Sequence, residues 1–127
     1  MEGYKATVTF ASKELTAREK IILKDTSDAI SLDEVTQQGE GVFVIKPDYY
    51  ATIAVHNEMS ENKDYTKYVV VDVSGNKYVT GSQSFWEAFS DICDEMADAG
   101  ETDFEVKIYR LESKNYKGKS FITCSLC

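Results

Sequence analysis

The sequence predicts a mainly β domain with helices, and three observations carry that prediction. Apolar and polar residues alternate with period two in several short runs rich in Val, Ile, Thr, Tyr and Phe. Turn chemistry such as Ser74-Gly75-Asn76 separates neighbouring runs. A single long stretch, Ser82 to Ala99, changes to the 3.6-residue period of an amphipathic helix.

Taken in order, Tyr4 to Ser12 (YKATVTFAS) alternates and reads as a strand. Thr16-Ala17-Arg18-Glu19 fits a capping box, in which hydroxyl and carboxylate each satisfy an unpaired backbone donor, and predicts a short helix to Lys24. Asp25 to Gly41 is polar and loop-rich, with Ala29 to Leu32 as a brief strand. Val42 to Lys46 is a short strand stopped by Pro47. Tyr49 to Glu58 sets Ala51, Ile53 and Val55 against Thr52, Ala54 and His56, the pattern of a half-buried strand. A polar loop from Met59 to Asp64 leads to the β-branched run Tyr65 to Val73, the turn, and the returning strand Lys77 to Thr80.

Ser84-Phe85-Trp86-Glu87 supplies a second capping box at the start of the long helix, and Gly100 sits where a left-handed terminating residue belongs. Phe85, Phe89, Ile92, Cys93, Met96 and Ala97 form its apolar stripe, with Trp86 at the edge. Phe104 to Leu111 and Ser120 to Leu126 close the chain as alternating strands. Beyond the first forty residues the order is strands, one helix, then two strands. That order predicts an OB-fold-like five-stranded Greek-key barrel with a helix between strands three and four. The 127 residues are read as a single domain, 1–41 a strand-and-helix extension and 42–127 the barrel.

Composition narrows function. No apolar run approaches the roughly 20 residues that span a bilayer, and no basic-then-apolar leader opens the chain, so no membrane contact and a cytoplasmic location are expected. Three cysteines form no closed disulfide framework. Net charge is −8, which by itself does not suggest a nucleic-acid partner, but the charges are segregated. Gly81 to Asp103 holds seven acidic residues and no basic one, whereas Phe104 to Cys127 holds five basic residues against two acidic.

The basic segment Ser113 to Ser120 (SKNYKGKS) interleaves three lysines with Tyr116. Single-strand binders need cations that track phosphates and aromatic faces that stack bases, each base worth about 1–3 kcal/mol. Lys107, Arg110, Lys114, Lys117 and Lys119 are the candidate phosphate contacts. Tyr109, Tyr116 and Phe121 are the candidate stacking groups, with Tyr65, Lys67 and Tyr78 on the same expected surface. Cys124-Ser125-Leu126-Cys127 has the spacing of a metal knuckle and could be joined on paper by Cys93 and His56. The inward positions of Cys93 and Cys124 favour small core hydrophobes instead, so neither metal nor cofactor is expected. His56 has Glu58 two residues on to orient it, yet no nucleophile or phosphate-loop motif accompanies the pair, and no enzyme is expected.

The tracts Tyr78-Val79-Thr80-Gly81-Ser82-Gln83-Ser84-Phe85-Trp86-Glu87-Ala88-Phe89, Val106 to Arg110, and Lys114 to Cys124 together resemble the single-stranded-DNA-binding proteins of bacteriophages and mobile elements in Gram-positive bacteria. The resemblance covers about Tyr49 to Leu126. It implies an OB-fold, a homo-oligomer, and sequence-tolerant binding of single-stranded DNA in replication or recombination. Cellular single-strand binders usually carry a flexible acidic tail for partner docking, whereas this sequence runs from a strand into Ser125-Leu126-Cys127. Docking of a replication or recombination protein would then fall to the acidic helix. An alternative reading makes that helix, with Glu87, Asp91, Asp94, Glu95 and Asp98, a DNA-mimicking interaction or inhibitor module aimed at a host nucleic-acid-binding protein.

Overall fold

The computed structural model describes residues 3–37, 42–59, 61–112 and 120–127. In chain order these form β1 (Tyr4–Ala11), α1 (Ala17–Lys24), β2 (Ile30–Ser31), α2 (Leu32–Gln37), β3 (Phe43–Ile45), β4 (Pro47–Asn57), β5 (Asp64–Asp72), β6 (Lys77–Thr80), α3 (Gln83–Asp98), β7 (Val106–Glu112) and β8 (Ser120–Leu126). The mainly β class with helices is as the sequence predicts, and the long helix lies between β6 and β7. The described strands make two sheets of five and three strands, ordered β1-β4-β5-β6-β2 and β3-β7-β8, with no closed barrel among them. Packing groups Met1–Ser31 with Asp48–Gly81 in one compact unit, and Leu32–Pro47 with Ser82–Cys127 in another.

In the first unit the five-stranded sheet buries one face against α1. Leu23 projects from α1 into a core of Ala51, Ile53, Val55, Val69 and Val71, flanked by Tyr4, Ala6, Val8 and Val79. The predicted capping box starts α1: Glu19 N–H donates to Thr16 Oγ1, and Thr16 N–H donates back to Glu19 Oε1. Lys77 closes the helix's other end, its ammonium donating to the Ile22 and Asp25 carbonyls that the helix leaves unpaired. Pro47 does more than stop β3. It opens β4, where the first residue of a strand tolerates a missing N–H.

In the second unit α3 packs on β8. Phe85, Phe89 and Cys93 of its stripe are buried, as are Val106, Ile108, Ile122 and Cys124 of the sheet. The helix is capped by Ser82, which accepts from Phe85 N–H, and not by Ser84 as the sequence pattern suggests. The Ser84 hydroxyl instead donates to the Ile122 carbonyl, tying α3 to β8. Gly100 takes the expected left-handed conformation, φ 74°. Helix α2 is an element the sequence reading passed over.

Candidate nucleic-acid interface

The three-stranded sheet keeps strict alternation, and this sorts its side chains. Ile45 pairs with Val106, and Ile108 pairs with Cys124, all four of them buried. The alternate positions form the other face: Val44 beside Lys107, Lys107 beside Ser125, Tyr109 beside Thr123, and Leu111 beside Phe121. Lys107 is exposed, Tyr109 is half-buried, and Val44, Leu111 and Phe121 remain 47%, 46% and 37% exposed. Large apolar side chains left in water beside a cation make a surface that suits a flat, charged ligand. The Tyr109 hydroxyl shares a hydrogen bond with Ser125 Oγ across the strand pair, which fixes where its ring lies.

Of the residues the sequence nominated, the structure brings Lys107, Tyr109 and Phe121 together on this face. Arg110 is placed differently. Alternation sends it to the opposite side, where Nε donates to Thr36 Oγ1 at 3.0 Å, Nη2 to the Asp33 carbonyl at 3.1 Å and Nη1 to Ser120 Oγ at 3.1 Å. Its guanidinium holds α2 to β7 and is not presented to a phosphate. Lys114, Tyr116, Lys117 and Lys119 lie outside the described residues.

Tyr65, Lys67 and Tyr78 do not form the single surface expected of them. Tyr65 packs against the α1-side core, and Lys67 on the same face donates to Thr26 Oγ1 at 3.0 Å. Tyr78 pairs with Val70 and lies on the opposite face from Val79, which packs with the α1-side core. It is only 4% exposed, and its hydroxyl donates to Asp72 Oδ2 at 2.8 Å. Burial first, then that carboxylate, pushes the phenol up to about 12. Desolvation works to raise Asp72 as well, but donors from Tyr78, Asn76 and Ser74 outweigh it and leave the carboxyl below its usual range. Tyr78 is therefore a structural strut with no ring face open to a base.

A profile of the Phi29-type phage single-stranded DNA-binding protein family matches residues 3–127. The chain belongs to that family. No curated protein matches it, and no solved structure does. For a phage single-stranded DNA-binding protein the ligand is single-stranded DNA, and among the described residues the outer face of β3-β7-β8 carries the two chemistries such a ligand needs, a cation and aromatic rings. Sequence reasoning missed Val44 and Leu111 on that face because aliphatic side chains in strands signal core by default. The β3–β7 register reveals Val44 and the β7–β8 register Leu111.

His56 does contact Glu58, Nε2 to Oε1 at 2.6 Å, and also Asp64, Nδ1 to Oδ1 at 2.7 Å, a partner that the sequence did not suggest. Cys93 and Cys124 are buried, Cys127 is exposed, and none of the three is joined in a disulfide. Burial, with Cys93 nearby, pushes Cys124 up to about 12, far from a reactive thiolate. Among the described residues no group of three His, Cys, Asp or Glu is placed to hold a metal ion. Among them too, no helix is long and apolar enough to cross a membrane.

Proposed function

We propose that this phage single-stranded DNA-binding protein is a non-enzymatic, sequence-tolerant binder acting in phage or mobile-element replication or recombination, and that it lays the strand across the exposed face of β7 and β8. The observation that supports this reading is the register that sets Lys107, Tyr109, Leu111 and Phe121 side by side on an uncovered sheet face. Lys107 neutralises phosphate, joined by Lys114, Lys117 and Lys119 of the connecting segment. Tyr109 and Phe121, with Tyr116, offer rings to bases; Arg110 and Tyr78 take no part. Sheet faces with aromatic and basic side chains bind single strands with little sequence preference, because every base has a π-face.

The same reading makes the protein a cytoplasmic homo-oligomer. Its support is that β1 and β8 are edge strands of their sheets among the described residues, and the outer backbone groups of an edge strand can pair with another copy. A basic replication or recombination protein docks on the exposed acidic side of α3, at Glu87, Asp91, Asp94, Glu95 and Asp98.

Fluorescence anisotropy with a labelled poly-dT oligonucleotide tests the site. The wild type is expected to bind at low salt, with affinity falling at a log–log slope of about −0.7 per phosphate neutralised. Combined Tyr109→Ala and Phe121→Ala substitutions are expected to weaken binding by at least about tenfold. Unchanged affinity in that double variant overturns the assignment, and an absence of wild-type binding overturns the whole reading.

A further inference from the structure

Strand β1 breaks its own alternation at one place, and the break exposes an aromatic ring. Tyr4, Ala6 and Val8 point into the α1-side core, so regular alternation would send Phe10 there too. The register shifts between Val8 and Phe10: Val8 pairs with core residue Ile53, Thr9 is the extra residue, and Phe10 pairs with Thr52 on the other face. The bulge turns Phe10 outward and lets Ala11, opposite buried Ala51, take the inner position. Phe10 is left 50% exposed. A strand selected for core packing alone would keep the phenyl ring inside and the alanine out.

What the ring meets outside is another aromatic. Phe10 and Tyr50 lie with centroids 6.2 Å apart and planes tilted 37°. The backbone under Tyr50 is pinned to Ser12, the residue after β1, by Ser12 N–H donating to the Tyr50 carbonyl at 2.9 Å and Tyr50 N–H donating to Ser12 Oγ at 3.0 Å. The same face continues along the two strands through small side chains, Thr7, Thr52 and Ala54, to the cross-strand pair Lys5 and His56. There the surface dips into an open concavity lined by Lys5, Thr7, Ala54, His56 and Thr66, with Asp64 engaged by His56. A paired ring platform at one end, a lysine at the other and only small groups between them match an extended strand of bases and phosphates.

We propose that Phe10 and Tyr50 form a base-stacking subsite for single-stranded DNA on the β1–β4 face, with Lys5 taking a phosphate of the same strand. The proposal rests on the chain's single-stranded DNA binding but not on the β7–β8 assignment, since it is built from residues of the other unit. Phe10→Ala is the direct test, because a half-exposed ring can be removed without emptying the core.

With poly-dT in anisotropy, Phe10→Ala is expected to lose about tenfold in affinity while keeping the wild-type salt slope, since no charge is removed. Phe10→Trp is expected to restore affinity, and its added indole fluorescence over that of Trp86 alone should be quenched by poly-dT. Lys5→Ala is expected to lower the magnitude of the slope by about 0.7. Wild-type affinity in Phe10→Ala, or an unquenched Phe10→Trp, overturns the subsite. A change in sedimentation with unchanged DNA affinity also overturns it and assigns Phe10 to contacts between copies. If Tyr109→Ala with Phe121→Ala weakens binding and Phe10→Ala does not, only the subsite fails. If the wild type binds no oligonucleotide, both readings fail together.

Discussion

The two sheets each bury one face against a helix, but they treat the other face differently. In β3-β7-β8 the far face carries exposed side chains on all three strands: Val44, Lys107, Leu111 and Phe121 reach solvent. In the five-stranded sheet the far face changes character across the strands. Val70, Tyr78 and Thr80 on β5 and β6 are buried, whereas Lys5, Thr7 and Phe10 on β1 are exposed. The difference shows in two strand tyrosines. Tyr109 is only partly buried, while Tyr78 is sealed in with its hydroxyl on Asp72. Residue type and strand propensity are the same for both, so what separates a candidate ligand contact from a strut is whether the face is covered.

The largest effects expected come from crossing between faces of one strand. Ile108 is fully buried and Leu111, three residues on, faces water. Ile108→Ala is expected to cost about 2–5 kcal/mol in urea unfolding, and Leu111→Ala below about 1 kcal/mol. Equal losses would mean that the β7–β8 outer face is covered and is no place for a ligand. The tyrosines come next. Tyr78→Phe removes a buried donor to a carboxylate and is expected to cost about 1.5–3 kcal/mol, whereas Tyr109→Phe loses a neutral, part-buried bond worth about 0.5–1.5 kcal/mol. Tyr78→Phe should also raise the Asp72 carboxyl, measurable by NMR titration. Smaller in energy but sharper for function, Lys107→Ala is expected to reduce the magnitude of the poly-dT salt slope by about 0.7, with no change in melting temperature beyond a degree or two. An unchanged slope would take Lys107 out of the phosphate contacts.

What the sequence could disclose was limited to what neighbouring residues decide. The Thr16–Glu19 box is local chemistry, and it forms as read. At the start of α3 two serines two residues apart compete to cap. Ser82 reaches Phe85 N–H, and Ser84 is drawn to a strand carbonyl 38 residues away, which no local pattern announces. Helix α2 was illegible for the same reason. Its six residues hold little apolar periodicity, and its anchor is Arg110, 74 positions beyond Thr36. The charge pattern nominated Arg110 for phosphate because a free and an engaged guanidinium look alike in a sequence. The faces of β7 and β8 were readable because their alternation is unbroken. Phe10 was not, because a bulge at Thr9 carries no glycine or other marker and reverses the side to which every later residue of the strand points.

The smallest effect tests the far end of the β1–β4 face, where His56 sits between two carboxylates. The side-chain bond to Asp64, then that to Glu58, raises the imidazole above its usual 6.5. His56 in turn, with Lys63, lowers Glu58 below its usual 4.5. The folded state thus holds the His56 proton more tightly than the unfolded chain does. The stabilisation it contributes is fully present below pH 6.5 and is lost as pH rises through the folded-state value. Glu58 contributes in the opposite sense, with stability present above pH 4.5 and lost on acidification. All of these groups are solvent-exposed, so the expected change in melting temperature is no more than a few degrees. The difference between wild type and His56→Gln should be largest between about pH 5 and 6.5 and should shrink toward pH 8.5. A difference independent of pH would show that His56 is held by packing alone and brings no charge to that end of the face.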